Sequence, residues 1–175
     1  MTPRFCADCG GPLSTYRLVA HEPPRQVCDR CGRVWYRNAR PTAGAFVLRD
    51  GRALLVRRGV PPALGKWDIP GGFLEVDEHP DDGVRRELRE ETGLDIAPTG
   101  ILGFYLERYP FAPPDSGEMV LCIYYLATAD GEPHPSDDAA AVGWFAPADF
   151  PPADDLAFPH LAAALEDLRR HLERR

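Results

Sequence analysis

Between Asp77 and Glu91 the chain carries seven carboxylates (Asp77, Glu78, Asp81, Asp82, Glu87, Glu90 and Glu91) against three arginines, Arg85, Arg86 and Arg89. Glu87 and Glu91 are four residues apart, so on a helix both point to one side, with Glu90 beside Glu87 at a spacing of three. Like charges so placed destabilise a helix by about 0.2–0.5 kcal/mol per pair unless something neutralises them. A divalent cation does so: Mg²⁺ takes one or two carboxylates and completes its shell with water and phosphate oxygens. The Gly71-Gly72 pair just upstream lets backbone carbonyls approach the same ion. The competing reading of this acidic run is a solvated helix face.

A second set of ligands lies near the N-terminus. Four of the five cysteines form the pairs Cys6-x-x-Cys9 and Cys28-x-x-Cys31. The spacing between the pairs is that of a four-cysteine zinc site. Each pair runs into glycine, Gly10-Gly11 and Gly32, so each knuckle can turn tightly and aim backbone amides at the thiolates. Disulfides and a redox pair compete for the same residues, but two pairs at this spacing fit a closed structural zinc site better. Cys122 sits in the apolar run Met119–Tyr125 and reads as a buried thiol.

The surrounding sequence must hold these two groups. Residues 1–37 are polar and short of core residues, so a module of that size needs a metal staple. Asn38-Ala39-Arg40-Pro41 reads as the joint to a second domain over 38–175. There the pattern predicts strands at Ala43–Leu48, Ala53–Val56, Ile101–Leu106, Val120–Thr128 and Val142–Phe145, with a hairpin turn at Asp50-Gly51. A helix is expected over Pro80–Thr92. Pro80 suits its first turn, Asp81 and Asp82 complement its dipole, and Gly93 suits its cap. Val84 and Leu88 can face a core, and a last amphipathic helix spans about Pro159–Arg174, with Leu161, Leu165, Leu168 and Leu172 at helical spacing. The element order implies an α+β fold, a mixed sheet flanked by helices.

Composition narrows the function. The chain has 175 residues, 44% hydrophobic and 27% charged, with a formal charge of −7. It contains no apolar run long enough to span a membrane, and Met1–Cys6 lacks the apolar core of a signal peptide, so a cytoplasmic protein with no membrane partner is expected. An acidic chain disfavours non-specific nucleic-acid binding, yet it can act on phosphates when divalent metals bridge carboxylates and substrate.

Residues 72–94 read Gly72-x5-Glu78-x7-Arg86-Glu87-Leu88-x-Glu90-Glu91-x-Gly93-Leu94. This resembles the Nudix box at every defined position, and the approach Gly65-Lys66-Trp67-Asp68-Ile69-Pro70-Gly71-Gly72 is similar to that family too. Resemblance to Nudix proteins bearing a zinc ribbon extends from Phe5-Cys6 to Leu156-Ala157-Phe158. It implies a Nudix α/β/α sandwich with a mixed sheet behind a four-cysteine ribbon. Cys6, Cys9, Cys28 and Cys31 are then the Zn²⁺ ligands. The Gly72 carbonyl, Glu87 and Glu91 bind catalytic Mg²⁺ or Mn²⁺. Glu90 is a further ligand or the base that orients water, and Arg86 holds the glutamates in place. Glu78 bonds within the loop-helix motif or touches an outer metal. Asp138, six residues ahead of Trp144-Phe145, occupies the place of a further catalytic acid, although the family more often has Glu there.

The reaction so implied is attack of water on a diphosphate phosphorus of a nucleoside diphosphate derivative, with ADP-ribose or FAD as first choice. NADH pyrophosphatases also carry a zinc ribbon but show Ser-Gln-Pro-Trp-Pro-Phe-Pro after the box; here Arg108-Tyr109-Pro110-Phe111-Ala112-Pro113-Pro114 keeps only Pro-Phe. That places NADH, and with it a capped RNA end, second. Sanitising of nucleoside triphosphates comes third. Tyr105, Tyr109 and Phe111 are candidates to stack on a base or flavin ring. A ribbon acting as a non-catalytic binding module is the alternative from another class, opposed by the intact set of box glutamates. The resemblance also implies a homodimer.

Overall fold

The computed structural model describes residues 3–110 and 118–174. Phe111 lies outside them. The chain divides into two compact units, Met1–Asn38 and Ala39–Arg175. Among the described residues, no helix is long and apolar enough to cross a membrane.

The first unit is a three-stranded antiparallel sheet, β1 (Leu13–Tyr16), β2 (Arg25–Cys28) and β3 (Val34–Trp35), in that order. Cys28 ends β2 opposite Leu13, and the bridge Phe5–Pro12 ties the first knuckle to the same sheet.

In the second unit β4 (Arg40–Arg49) and β5 (Arg52–Arg58) form a hairpin around Asp50 and Gly51, both left-handed with φ of 50° and 72°. The pattern continues with β6 (Trp67–Asp68), β7 (Gly71–Phe73), α1 (Pro80–Thr92), β8 (Ile96–Tyr109), β9 (Glu118–Ala129), β10 (Ala139–Phe145) and α2 (His160–Glu173). The sheet order is β10-β5-β4-β9-β8, with β6 on β5 and β7 on β4. The β4–β9 pairing is parallel and the other pairings are antiparallel, so the sheet is mixed.

Strand alternation divides the core in two. From β4, Phe46 joins Tyr124, Leu126, Leu161, Leu165 and Leu168 under α2, whereas Ala43, Ala45 and Val47 join Val84, Leu88 and Tyr125 under α1. One helix on each face makes the α/β/α sandwich. Val84, Leu88, Leu161 and Leu168 are buried completely or nearly so.

Helix α1 has the bounds expected of it. His79 caps its start by accepting the Asp81 N–H, and Gly93, at φ 70°, closes its end with an N–H bond to the Arg89 carbonyl. The strands run longer than the sequence pattern predicted. β8 begins at Ile96 and ends at Tyr109 because it pairs with β9 along its whole length, absorbing register shifts at Pro98/Gly100 and Ile101/Gly103. Pro98 is tolerated there since β8 is an edge strand.

The short strands β6 and β7 shape the site. The β4–β5 hairpin is paired only near its turn, at Leu48–Ala53 and Arg49–Arg52. Beyond that the two strands splay. β6 takes Val56 and Arg57, β7 takes Thr42–Gly44, and Pro70 between them accepts the Ala45 N–H. The Gly71-Gly72 backbone is thereby inserted into the sheet, facing the helix that carries the glutamates.

Candidate active site and metal centre

Helix α1 presents Glu87 and Glu91 toward the inserted glycines. The Glu91 Oε2 accepts the Gly71 N–H at 2.9 Å. A Cβ on Gly72 would sit 2.5–2.6 Å from the Glu87 carboxylate, so only glycine permits this approach.

Arg86 organises the surrounding acids. Its Nε and Nη2 grip Glu78 bidentately at 2.8 and 2.9 Å, and Nη2 also donates to the Phe73 carbonyl at 3.2 Å. Nη1 donates to Glu87 at 2.7 Å and to Glu90 at 3.1 Å. All five N–H donors of the guanidinium are thus used. Glu78 in turn accepts the Glu75 N–H at 3.0 Å. The Arg86 bonds hold the Glu78 carboxyl down at about 2. Burial pushes Glu87 up despite Arg86. It pushes Glu91 up to about 8, with Asp68 and Glu87 adding to it and the Gly71 N–H opposing.

These groups open into a cleft of about 300 Å³. Its carboxylate side includes Glu75, Glu87, Glu91 and Asp68. Asp68 is buried, its oxygens taken by Arg58 Nη1 at 3.1 Å and the Ile69 N–H at 2.9 Å. Asp138 stands exposed at the margin with Asp137. Its loop is pinned to the end of α1: the N–H groups of His134 and Ser136 donate to the carbonyls of Thr92 and Glu91, both at 3.0 Å. Glu90, by contrast, is exposed, does not line the cleft, and bonds to Arg86.

The opposite side is aromatic. Tyr109 lies with its ring centroid 5.5 Å from Phe73 and 5.4 Å from Phe158. Tyr105 does not line the cleft: its hydroxyl donates to Asp167 at 2.7 Å and its ring packs on Tyr124. Sequence reasoning missed Asp68, Glu107, Tyr124, Phe158 and His160, all of which line the cleft. For Glu107 a signal existed. It falls between Tyr105 and Tyr109 at strand spacing, a charge in a row of aromatic positions.

In the N-terminal unit the sulfur atoms of Cys6, Cys9, Cys28 and Cys31 all lie within 4.8 Å of one another. The Cys6–Cys31 and Cys9–Cys28 separations are 3.8 and 3.4 Å. Tetrahedral Zn–S bonds of about 2.3 Å require sulfurs about 3.8 Å apart, so the cluster fits zinc. Each knuckle is tightened by a glycine N–H, Gly10 to the Cys6 carbonyl and Gly32 to the Cys28 carbonyl. Backbone N–H donation, chiefly from Cys31, lowers the Cys28 thiol toward the thiolate that a metal needs.

A NUDIX domain family model matches residues 38–167, and a zinc-ribbon family described as Nudix N-terminal matches residues 4–37. The chain belongs to the Nudix hydrolase family and carries that family's N-terminal ribbon. It is 32% identical over 118 residues to an ADP-ribose pyrophosphatase of Methanocaldococcus jannaschii, covering 66% of this chain and 64% of that protein. It is 31% identical over 144 residues to the NAD-capped RNA hydrolase NudC of Chromobacterium violaceum, covering 81% of this chain and 49% of that one. The chain thus spans about half to two thirds of the length of these relatives. A crystal structure of a NUDIX hydrolase from Nitrosomonas europaea superposes with a TM-score of 0.78 at 26% identity, covering 99% of this chain and 92% of the other.

Two outcomes are expected. Purified protein should hold one zinc per chain by elemental analysis, and Cys28→Ser should hold almost none; a wild-type chain without zinc in which Cys6, Cys9, Cys28 and Cys31 all react with a thiol reagent would refute the site. The second concerns pH. Glu91 sits at about 8 in the folded protein and near 4.3 when unfolded. Its contribution to metal-free stability is therefore fully present below the unfolded value and is lost as pH rises toward about 8. Metal-free Tm should fall over that window and Mn²⁺ should restore it increasingly with pH. A Mn²⁺ effect independent of pH would contradict this.

Proposed function

We propose that this protein hydrolyses the diphosphate bond of a nucleoside diphosphate derivative, ADP-ribose or FAD first, using Mg²⁺ or Mn²⁺. The observation that carries the reading is a single cleft joining two burial-raised glutamates, Glu87 and Glu91, to an aromatic wall of Phe73, Tyr109 and Phe158. Carboxylates pushed up by burial and mutual repulsion lack positive charge, and a divalent ion supplies it together with a phosphate-binding surface.

Glu87 and Glu91, with the Gly72 backbone, would hold the ion, and Arg86 keeps Glu87 in place while Glu78 fixes Arg86. When bound, a divalent cation lowers the pKa of water and neutralises the diphosphate oxygens. The proton released by the attacking water needs a carboxylate acceptor. Asp138 lines the cleft and is offered as that base. Glu90 is the less apt choice, because its carboxylate faces Arg86 outside the cleft. The zinc ribbon is a structural staple for the first unit, given its cysteine geometry.

The similarity to an ADP-ribose pyrophosphatase supports the first substrates. The similarity to a NAD-capped RNA hydrolase supports a second reading, NADH or a capped RNA end.

The test is a panel of ADP-ribose, FAD, NADH and nucleoside triphosphates with Mg²⁺ or Mn²⁺, products resolved by chromatography. AMP is expected from ADP-ribose or FAD, lost with chelator. Glu91→Gln should lower kcat/KM by roughly 100-fold or more. Higher kcat/KM on NADH would favour the second reading, and a Glu91→Gln variant as fast as wild type would refute the assignment.

A further inference from the structure

We propose that the end of the cleft between β8 and α2 is a base subsite, in which Glu107 selects an amine-bearing nucleobase. This rests on the reading of the cleft as a nucleotide site.

Glu107 lies on β8, not on the elements that carry Gly72, Glu87 and Glu91. It lies opposite Val120 on β9, and β9 in turn pairs with β4, which pairs with β7 and its Gly72. Along the sheet Glu107 is thus three strands removed from Gly72. A ligand whose diphosphate meets Glu87 and Glu91 therefore presents a different part of itself to Glu107.

Among the described residues, the hydrogen bonds around Glu107 leave it one unused acceptor site. Its Oε2 accepts the His160 backbone N–H at 3.2 Å and the ring Nδ1–H at 3.1 Å. Its Oε1 accepts the Arg108 N–H at 2.7 Å. His160 Nε2 is in turn hydrogen-bonded to the Tyr124 hydroxyl at 2.7 Å. His160 and Tyr124 are both largely buried and are bonded to each other. The pair, through His160, fixes the carboxylate of Glu107 in one orientation. A carboxylate offers about four lone-pair sites. Described residues take three, and one on Oε1 remains for a donor.

Shape and sign define what that donor belongs to. The neighbouring surface is the ring pair Tyr109 and Phe158, packed on each other with centroids 5.4 Å apart, an apolar aromatic edge along which a flat group can lie. An acceptor-only carboxylate attracts N–H and repels carbonyl oxygen and phosphate. A planar ring with an exocyclic amine meets all three conditions. Adenine has one, and ADP-ribose, FAD and NADH share it.

Equilibrium binding of AMP and of purine riboside 5′-monophosphate, which lacks the amine, tests this without turnover. Titrations with Mg²⁺ present should give wild type a preference for AMP of roughly 10- to 100-fold, the worth of a hydrogen bond to a charged acceptor. In Glu107→Gln, which weakens the acceptor, the preference should shrink to less than about threefold. Equal wild-type affinities, or an undiminished preference in Glu107→Gln, would overturn the subsite. If Glu107→Gln does not fold, as judged by its melting transition, the wild-type ratio alone decides. Diphosphate hydrolysis with no base preference would refute the subsite and leave the proposed function standing. A base preference with no hydrolysis of any substrate would do the reverse.

Discussion

Everything at the glutamate end of the cleft depends on keeping like charges together. Glu78, Glu87 and Glu90 share one guanidinium, that of Arg86, and the Phe73 carbonyl takes what is left of it. A point charge could neutralise one of these carboxylates. Only a planar fork can orient three at once and tie them to the loop ahead of the helix. Glu91 lies beyond that fork and is held by the Gly71 N–H instead. Burial pushes its carboxyl up to about 8, whereas the Arg86 bonds hold Glu78 down at about 2.

The fold serves this arrangement by a local failure of pairing. Were β4 and β5 zipped along their length, no backbone could enter between them. Their separation beyond Leu48 and Ala53 admits β6 and β7, and with them the two glycines that the Glu87 and Glu91 carboxylates approach. The loop of His134–Asp138 then caps α1, so the same helix end fixes both Glu91 and the margin where Asp138 stands. At the cleft's other end the order is reversed. There His160, itself bonded to Tyr124, holds one carboxylate, Glu107, through its backbone N–H and its ring.

Local signals were readable where one short stretch determines the outcome. Pro80, Asp81, Asp82 and Gly93 marked both ends of α1, and the glutamate spacing placed Glu87 and Glu91 on one side. The cysteine pairs similarly foretold the sulfur cluster. β6 and β7 were not legible, because strands of two and three residues flanking a proline carry no periodicity; their partners create them. Tyr105 was expected to meet substrate, but a tyrosine hydroxyl suits a helix aspartate as well as a cleft, and only the docking of α2 decides. The Glu107–His160 contact spans 53 residues, so sequence could show only that a charge sat among aromatics.

The most direct test replaces the fork but keeps the charge, as Arg86→Lys, and measures Mn²⁺ affinity by titration calorimetry. If the guanidinium acts by orienting Glu87 through a network that lysine cannot reproduce, affinity should fall roughly 10- to 100-fold while the fold survives. Wild-type affinity in Arg86→Lys would show that a nearby positive charge suffices, and would contradict the orienting role of the guanidinium.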